Sequence, residues 1–270
     1  MTTALRVRPR VEGDWLFVPV PRLAPVPQLA SAPRAHRPYR LFCFPHAGGD
    51  ATAYTPLARA LAPAAEVWAL RPPARGGRLG HPMPASFDLL VDAVVEALTP
   101  HLTGRFGFYG QSFGALLGYE VARALPAGLR PELVVAASAS PPAVWSGADR
   151  PRYTADELLR LAGMGELVEG DDELKEHALR GIRTDLDVVA TYRPRPHPPI
   201  GSDLHTVVGV EDPLLALGGL EGWAAHTRGA HGHHVVPGGH LLATVDRPGP
   251  VDLLTSLTTR PRAAHQSPTE

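Results

Sequence analysis

One cysteine, Cys43, stands in 270 residues. No intramolecular disulfide can form, which excludes a stapled secreted scaffold and fits a reducing compartment. Cys43 lies within Leu41-Phe-Cys-Phe44. That run reads as a buried strand, where a thiol stays inert. Lysine is nearly missing, with Lys175 the sole example, and the formal net charge is −1. Such a balance gives no field for nucleic acid or an anionic membrane. No apolar run approaches the ~20 residues of a membrane helix. The opening Met1-Thr-Thr-Ala-Leu-Arg-Val-Arg8 lacks the continuous apolar stretch of a signal peptide. A soluble cytoplasmic protein is expected, as a monomer.

What is present is an alternating pattern. Residues 1–38 are rich in Pro and Arg and read as an extension. Within it Trp15-Leu-Phe-Val-Pro-Val20 is strand-like, and Pro19 confines it to a sheet edge. Pro21 to Pro38 reads as an extended connector, and 260–270 as a polar, disordered tail. From Tyr39 onward, short apolar runs alternate with helical spacing. Leu41–Phe44, Glu66–Leu70, Arg105–Tyr109, Leu133–Ala137, Asp203–Val210 and His233–Val236 read as strands. Ser86 caps a helix with apolar residues at Phe87, Leu90, Val91, Val94, Val95 and Leu98. The implied fold is α/β, one domain over 39–259, with a mostly parallel sheet covered by helices on both faces.

Residues 145–195 break that rhythm. Thr154-Ala-Asp-Glu157 is a capping box, and a longer helix is expected from Asp172. Its expected apolar stripe is Leu174, Ala178, Ile182, Leu186 and Val189. A helical insertion of this size suggests a lid.

The chemistry centres on Gly110-Gln-Ser-Phe-Gly114 between an apolar strand and a helix. This is the nucleophile-elbow pattern, which presents Ser112 at the apex of a sharp turn. Glycines two residues either side are needed where strand and helix nearly touch. A serine hydroxyl needs a base, and the base an orienting acid, in the chain order Ser, Asp or Glu, His. Asp212, in Val-Glu-Asp-Pro213 after a strand, is the expected acid, with Glu211 its neighbouring competitor. His240, in Pro237-Gly-Gly-His240, is the expected base. The backbone N–H groups of Phe113 and Ala47 are the expected oxyanion donors, the latter on the Pro45-His-Ala-Gly-Gly-Asp50 loop. His46 reads as loop-shaping, and Asp185 and Asp187 as solvated residues of a lid helix. His231, His233 and His234 lack the further ligands of a metal set and read as a polar loop entering a strand. No metal is expected.

Phe42-Cys-Phe-Pro-His-Ala-Gly-Gly49, the elbow, Thr191-Tyr-Arg193 and Pro237-Gly-Gly-His240 together resemble a type II thioesterase. That family has the α/β-hydrolase fold and accompanies polyketide synthases and nonribosomal peptide synthetases. The resemblance runs from about Trp15 to Val245. It differs from the family at Gln111 and Phe113, where His and Met are usual. The resemblance implies hydrolysis of acyl groups from the phosphopantetheine arm of an acyl or peptidyl carrier protein, an editing role with no resident cofactor. It carries over Ser112 as nucleophile, His240 as base, Asp212 as orienting acid, and Ala47 and Phe113 as oxyanion donors. Leu158, Leu161, Met164 and Leu167 are expected to line an acyl chamber. Arg75 and Arg78 are weighed as exposed contacts for an acidic carrier protein. A carboxylesterase, a lipase or an acyltransferase on the same scaffold stays open.

Overall fold

The structure is a computed structural model. It describes residues 8–20, 38–62, 64–146, 153–194, 196, 198–215, 217–243 and 248–260. The expected connector and tail lie almost wholly outside the described residues.

Eight strands form one sheet: β1 (Arg10–Glu12), β2 (Leu16–Val18), β3 (Tyr39–Phe44), β4 (Ala65–Leu70), β5 (Phe106–Gln111), β6 (Leu133–Ala137), β7 (Asp203–Gly209) and β8 (His231–Val236). Their spatial order is β1-β2-β4-β3-β5-β6-β7-β8. β1 and β2 pair antiparallel, as do β2 and β4, and every later pair is parallel. The edge position expected for the Trp15 run is therefore corrected. β1 lies outside β2, and Pro19 follows the strand's last residue. Arg10–Glu12 is too short and too charged to read as a strand by its pattern.

Among the described residues, six α-helices complete the fold: α1 (Thr55–Leu61), α2 (Phe87–Leu98), α3 (Phe113–Ala124), α4 (Ala155–Leu161), α5 (Asp172–Ala190) and α6 (Pro248–Thr259). Side chains alternate across each strand. In β3, Phe42 and Phe44 join the core under α2 and α3, while Tyr39, Leu41 and Cys43 face α1 and α6. Burial of each such large side chain contributes about 1.5–3 kcal/mol. Ser86 caps α2 by accepting the N–H of Leu89 at 3.3 Å. The capping box of α4 is complete, with Thr154 and Glu157 bonding reciprocally.

The buried face of α5 departs from the expected stripe. Leu174 is exposed, whereas Leu179, Gly181, Ile182, Asp185, Val188 and Val189 are buried. Ile182 and Val189 hold the expected stripe, and Ala178 and Leu186 pack partly buried against the cores, but an apolar count passes over Gly181 and Asp185.

Candidate active site

Ser112 has φ 54° and ψ −121°. A non-glycine residue in so sparse a region costs on the order of 1–3 kcal/mol and persists only where its surroundings enforce it. They do so here. A β-carbon on Gly110 would meet the Gly114 carbonyl oxygen at 2.2 Å, and one on Gly114 would meet the Phe44 oxygen at 2.1 Å. The N–H of Ser112 is held by the carbonyl of Ala137 on neighbouring β6 at 2.8 Å. Strand β5 also runs two residues past its expected end, because Gly110 and Gln111 still pair in the sheet.

Asp212 follows β7 and His240 follows β8, on adjacent loops. Both are buried, and Nδ1 of His240 lies 3.0 Å from each carboxylate oxygen of Asp212. With Nδ1 donating to the carboxylate, Nε2 keeps its lone pair and can accept a proton. Glu211, the competing acid, is exposed. The two loops cross at Gly209, where a β-carbon would come within 2.2 Å of the Gly238 oxygen.

Gln111, which stands where the resembled family usually has His, is fully buried. Its Nε2 donates to the carbonyl oxygen of His240, and its Oε1 accepts from the N–H of Ala243 at 3.3 Å and the hydroxyl of Tyr109 at 3.2 Å. The residue beside the nucleophile thus tethers the loop of the base.

Ser112, His240, Ala47 and Phe113 border one cavity of about 730 Å³, part of it open to solvent. Its walls include Trp145, Tyr153, Leu158, Leu186 and Val189. Of the expected chamber residues whose side chains are described, Leu158 lines it. Met164 packs instead into a small lid core with Leu159 and Leu179, and Leu161 does not border the cavity. The side chain of Leu167 lies outside the described residues. Trp145 and Tyr153 were missed, although aromatics in the segment after β6 offered a signal.

His46 is buried, and its pKa is pushed down to about 3 by burial first, then by electrostatic coupling to His240 and Arg75. It is neutral at ordinary pH. Its carbonyl accepts the N–H of Gly49 at 2.9 Å, closing the turn of the loop.

Two expectations about charge are overturned. Arg75 and Arg78 are 3% and 6% exposed, so neither offers a surface to a carrier protein. Arg78 stacks on the Trp15 ring, with its guanidinium carbon 3.9 Å from the ring centre. Arg75 pairs with Asp185, which is itself 1% exposed and not on a solvated face. His233 and His234 lie in β8 as expected, and His231, expected in the loop before it, lies in β8 as well. Among the described residues, no three His, Cys, Asp or Glu side chains group as a metal site. No described helix is long and apolar enough to cross a membrane.

A mostly parallel sheet, a strained serine between β5 and α3, and an Asp–His pair on the next loops define an α/β-hydrolase with a serine nucleophile. The thioesterase domain model matches residues 39–251. The chain belongs to that family and is a thioester hydrolase. It is 35% identical to a probable cadicidin biosynthesis thioesterase of Streptomyces griseus over 76% of this chain, and spans 58% of that relative's length. It is 32% identical to the thioesterase PikA5 of Streptomyces venezuelae, over 77% of each chain. Among solved structures it resembles the type II thioesterase BorB of the borrelidin cluster, with TM-score 0.76 and 27% identity over 92% of this chain and 100% of that one. RedJ, from the prodiginine pathway of Streptomyces coelicolor, has TM-score 0.72 and 28% identity over 88% and 91%.

Proposed function

We propose that this enzyme removes acyl groups from the phosphopantetheine arm of acyl or peptidyl carrier proteins, clearing stalled units from a polyketide or nonribosomal peptide assembly line. Ser112 attacks the thioester carbonyl while His240 takes its proton. The N–H groups of Ala47 and Phe113 hold the oxyanion. His240 then gives the proton to the departing thiol, leaving an acyl-serine. A water molecule, deprotonated by His240, attacks that ester, and Ser112 recovers its proton as the carboxylic acid leaves. Asp212 holds the imidazole in the tautomer this needs and stabilises its charged form. The arm belongs to the substrate, so the scheme uses no resident cofactor. The reading includes a cytoplasmic monomer, an environment in which an unpaired thiol such as Cys43 persists.

The observation that carries the reading is the Asp212–His240 pair facing the cavity that Ser112 borders. The apolar walls suit an acyl chain, and the relatives' biosynthetic settings favour a carrier-bound one. Ser112→Ala should lower turnover of an acyl-loaded carrier protein by something on the order of 10⁶, by analogy with a serine protease. Ordinary turnover in that variant would end the claim. Matched oxygen esters should be cleaved more slowly than thioesters; equal rates would favour a general esterase. Release of an ester or amide instead of the free acid would favour an acyltransferase.

A further inference from the structure

The Arg75–Asp185 pair has no part in the scheme above, yet it lies beside the oxyanion loop. Asp185 comes from α5, Arg75 from the segment after β4, and Gly48 from the loop after β3. Oδ2 of Asp185 accepts the N–H of Gly48 at 2.8 Å and Nη1 of Arg75 at 2.7 Å. Oδ1 accepts Nη2 of the same arginine. Arg75 also reaches the carbonyl of Gly49 at 3.4 Å and, through Nε, that of Pro73 at 3.3 Å. The Gly48-Gly49 step is therefore gripped from both sides.

Gly48 has φ 77°, a conformation that suits glycine. A β-carbon there would meet Cγ1 of Ile182 at 2.5 Å, and one on Gly181 would meet the Gly48 α-carbon at 3.4 Å. Helix α5 thus lies directly on the loop. Asp185 borders the cavity as well, but its oxygens are committed to Arg75 and Gly48.

Burying two charges is costly, and a buried pair is weak evidence of added stability. An apolar pair of similar volume would fill the same space. It could not accept the N–H of Gly48, which is part of the peptide unit directly after Ala47. We propose that Asp185 is a positioning residue for the oxyanion loop: its carboxylate fixes the Gly48 peptide and so aims the N–H of Ala47 at the developing oxyanion. This inference rests on the hydrolase reading above and on Ala47 as a donor. It makes a helix of the lid part of the apparatus for transition-state stabilisation.

The test compares two double variants. Arg75→Met with Asp185→Asn removes both charges but leaves a side-chain oxygen for Gly48. Arg75→Met with Asp185→Leu removes that acceptor and keeps the space filled. The Asn form should retain kcat within about threefold, since the neutral acceptor still holds the peptide. The Leu form should lose kcat by on the order of 10–100-fold, up to the scale of one lost oxyanion donor. Its KM for a small acyl thioester should not change, and labelling of Ser112 by an active-site phosphonate should slow in parallel. Two folded forms with the same kcat would overturn the proposal, as would a loss confined to KM. If the Leu form does not fold, Arg75→Met with Asp185→Ala decides. It too removes the acceptor for the Gly48 N–H, so kcat should fall by at least about tenfold with KM unchanged, and an unchanged kcat would overturn the proposal. A wild-type enzyme that neither labels nor hydrolyses thioesters overturns the hydrolase reading and this inference together. Labelled wild type with indistinguishable double variants overturns this inference alone.

Discussion

Helices α4 and α5 both belong to the segment expected to act as a lid, but they are held in different ways. Helix α5 is fastened to the body of the enzyme. Val188, Val189 and Tyr192 join the large core around α2 and α3. Thr191 Oγ accepts the N–H of Phe87 at 2.8 Å, and the Tyr192 hydroxyl donates to Glu120 at 2.7 Å. Asp185 adds the buried link to Arg75 and Gly48. Helix α4 instead packs on α5 and on the turn Gly165–Val168, through a small separate core of Ala155, Leu159, Val168, Leu179 and Ile182. One half of the segment is thus fastened to the elements around Ser112, and the other rests upon it.

The largest expected effect comes from forcing the fastened half away. Gly48→Val places a branched side chain at φ 77° and into Ile182. Thermal unfolding should show a loss of roughly 2–4 kcal/mol, from overpacking and backbone strain combined. The kcat for a small thioester should fall at least tenfold. A variant with unchanged kcat would mean that α5 is not coupled to the oxyanion loop. Leu158→Trp acts on the other half. It should cut turnover of long acyl chains by about tenfold relative to short ones and leave Tm within a few degrees. An unchanged chain-length profile would remove α4 from the chamber. Thr154→Ala deletes the cap of α4, at a cost of about 1 kcal/mol to that helix. Hydrogen exchange should then speed up in α4 while α5 stays protected. Equal acceleration in both helices would show that the lid opens as one unit.

The smallest effect is one of pH. Glu157 has its carboxyl held below the usual range by hydrogen bonds from the backbone and side chain of Thr154. A depressed carboxylate pKa contributes stability that is present at neutral pH and lost as pH falls through the folded value. Protection of α4 amides, after allowance for the slower intrinsic exchange in acid, should therefore weaken on acidification below the ordinary carboxylate range, and do so less in Thr154→Ala.

The elbow and the Asp212–His240 pair were legible because their local demands are severe. Only glycine fits at positions 110 and 114, and the acid and base each sit just beyond a recognisable strand. Most of the fold was legible for the same reason: β3 to β6 are short apolar runs separated by helical spacing. What stayed hidden was polar burial. By periodicity, Asp185 and the arginines at 75 and 78 look like solvent-facing charges, and only the partners brought by distant segments turn them inward. The chamber was half-read for a similar reason. Leu161 and Met164 have the right chemistry, but the turn after α4 directs Met164 into the lid's own core. Gln111 was hidden because its partners, His240 and Ala243, are 129 and 132 residues away.

The crossing at Gly209 has a bearing on how this enzyme becomes competent during folding. Strand β8 is the last in the sheet and has one neighbour, β7, so one ladder sets where the base loop emerges. A slip of two residues along that ladder would preserve the inward and outward alternation of side chains while carrying His240 roughly 7 Å from Asp212. The close approach at Gly209 opposes such a slip, because the carbonyls of Gly238 and Gly239 leave no room for a β-carbon there, and the residues two away, Val207 and Glu211, each carry one. A chain that closed its sheet out of step would be compact, well covered and inert.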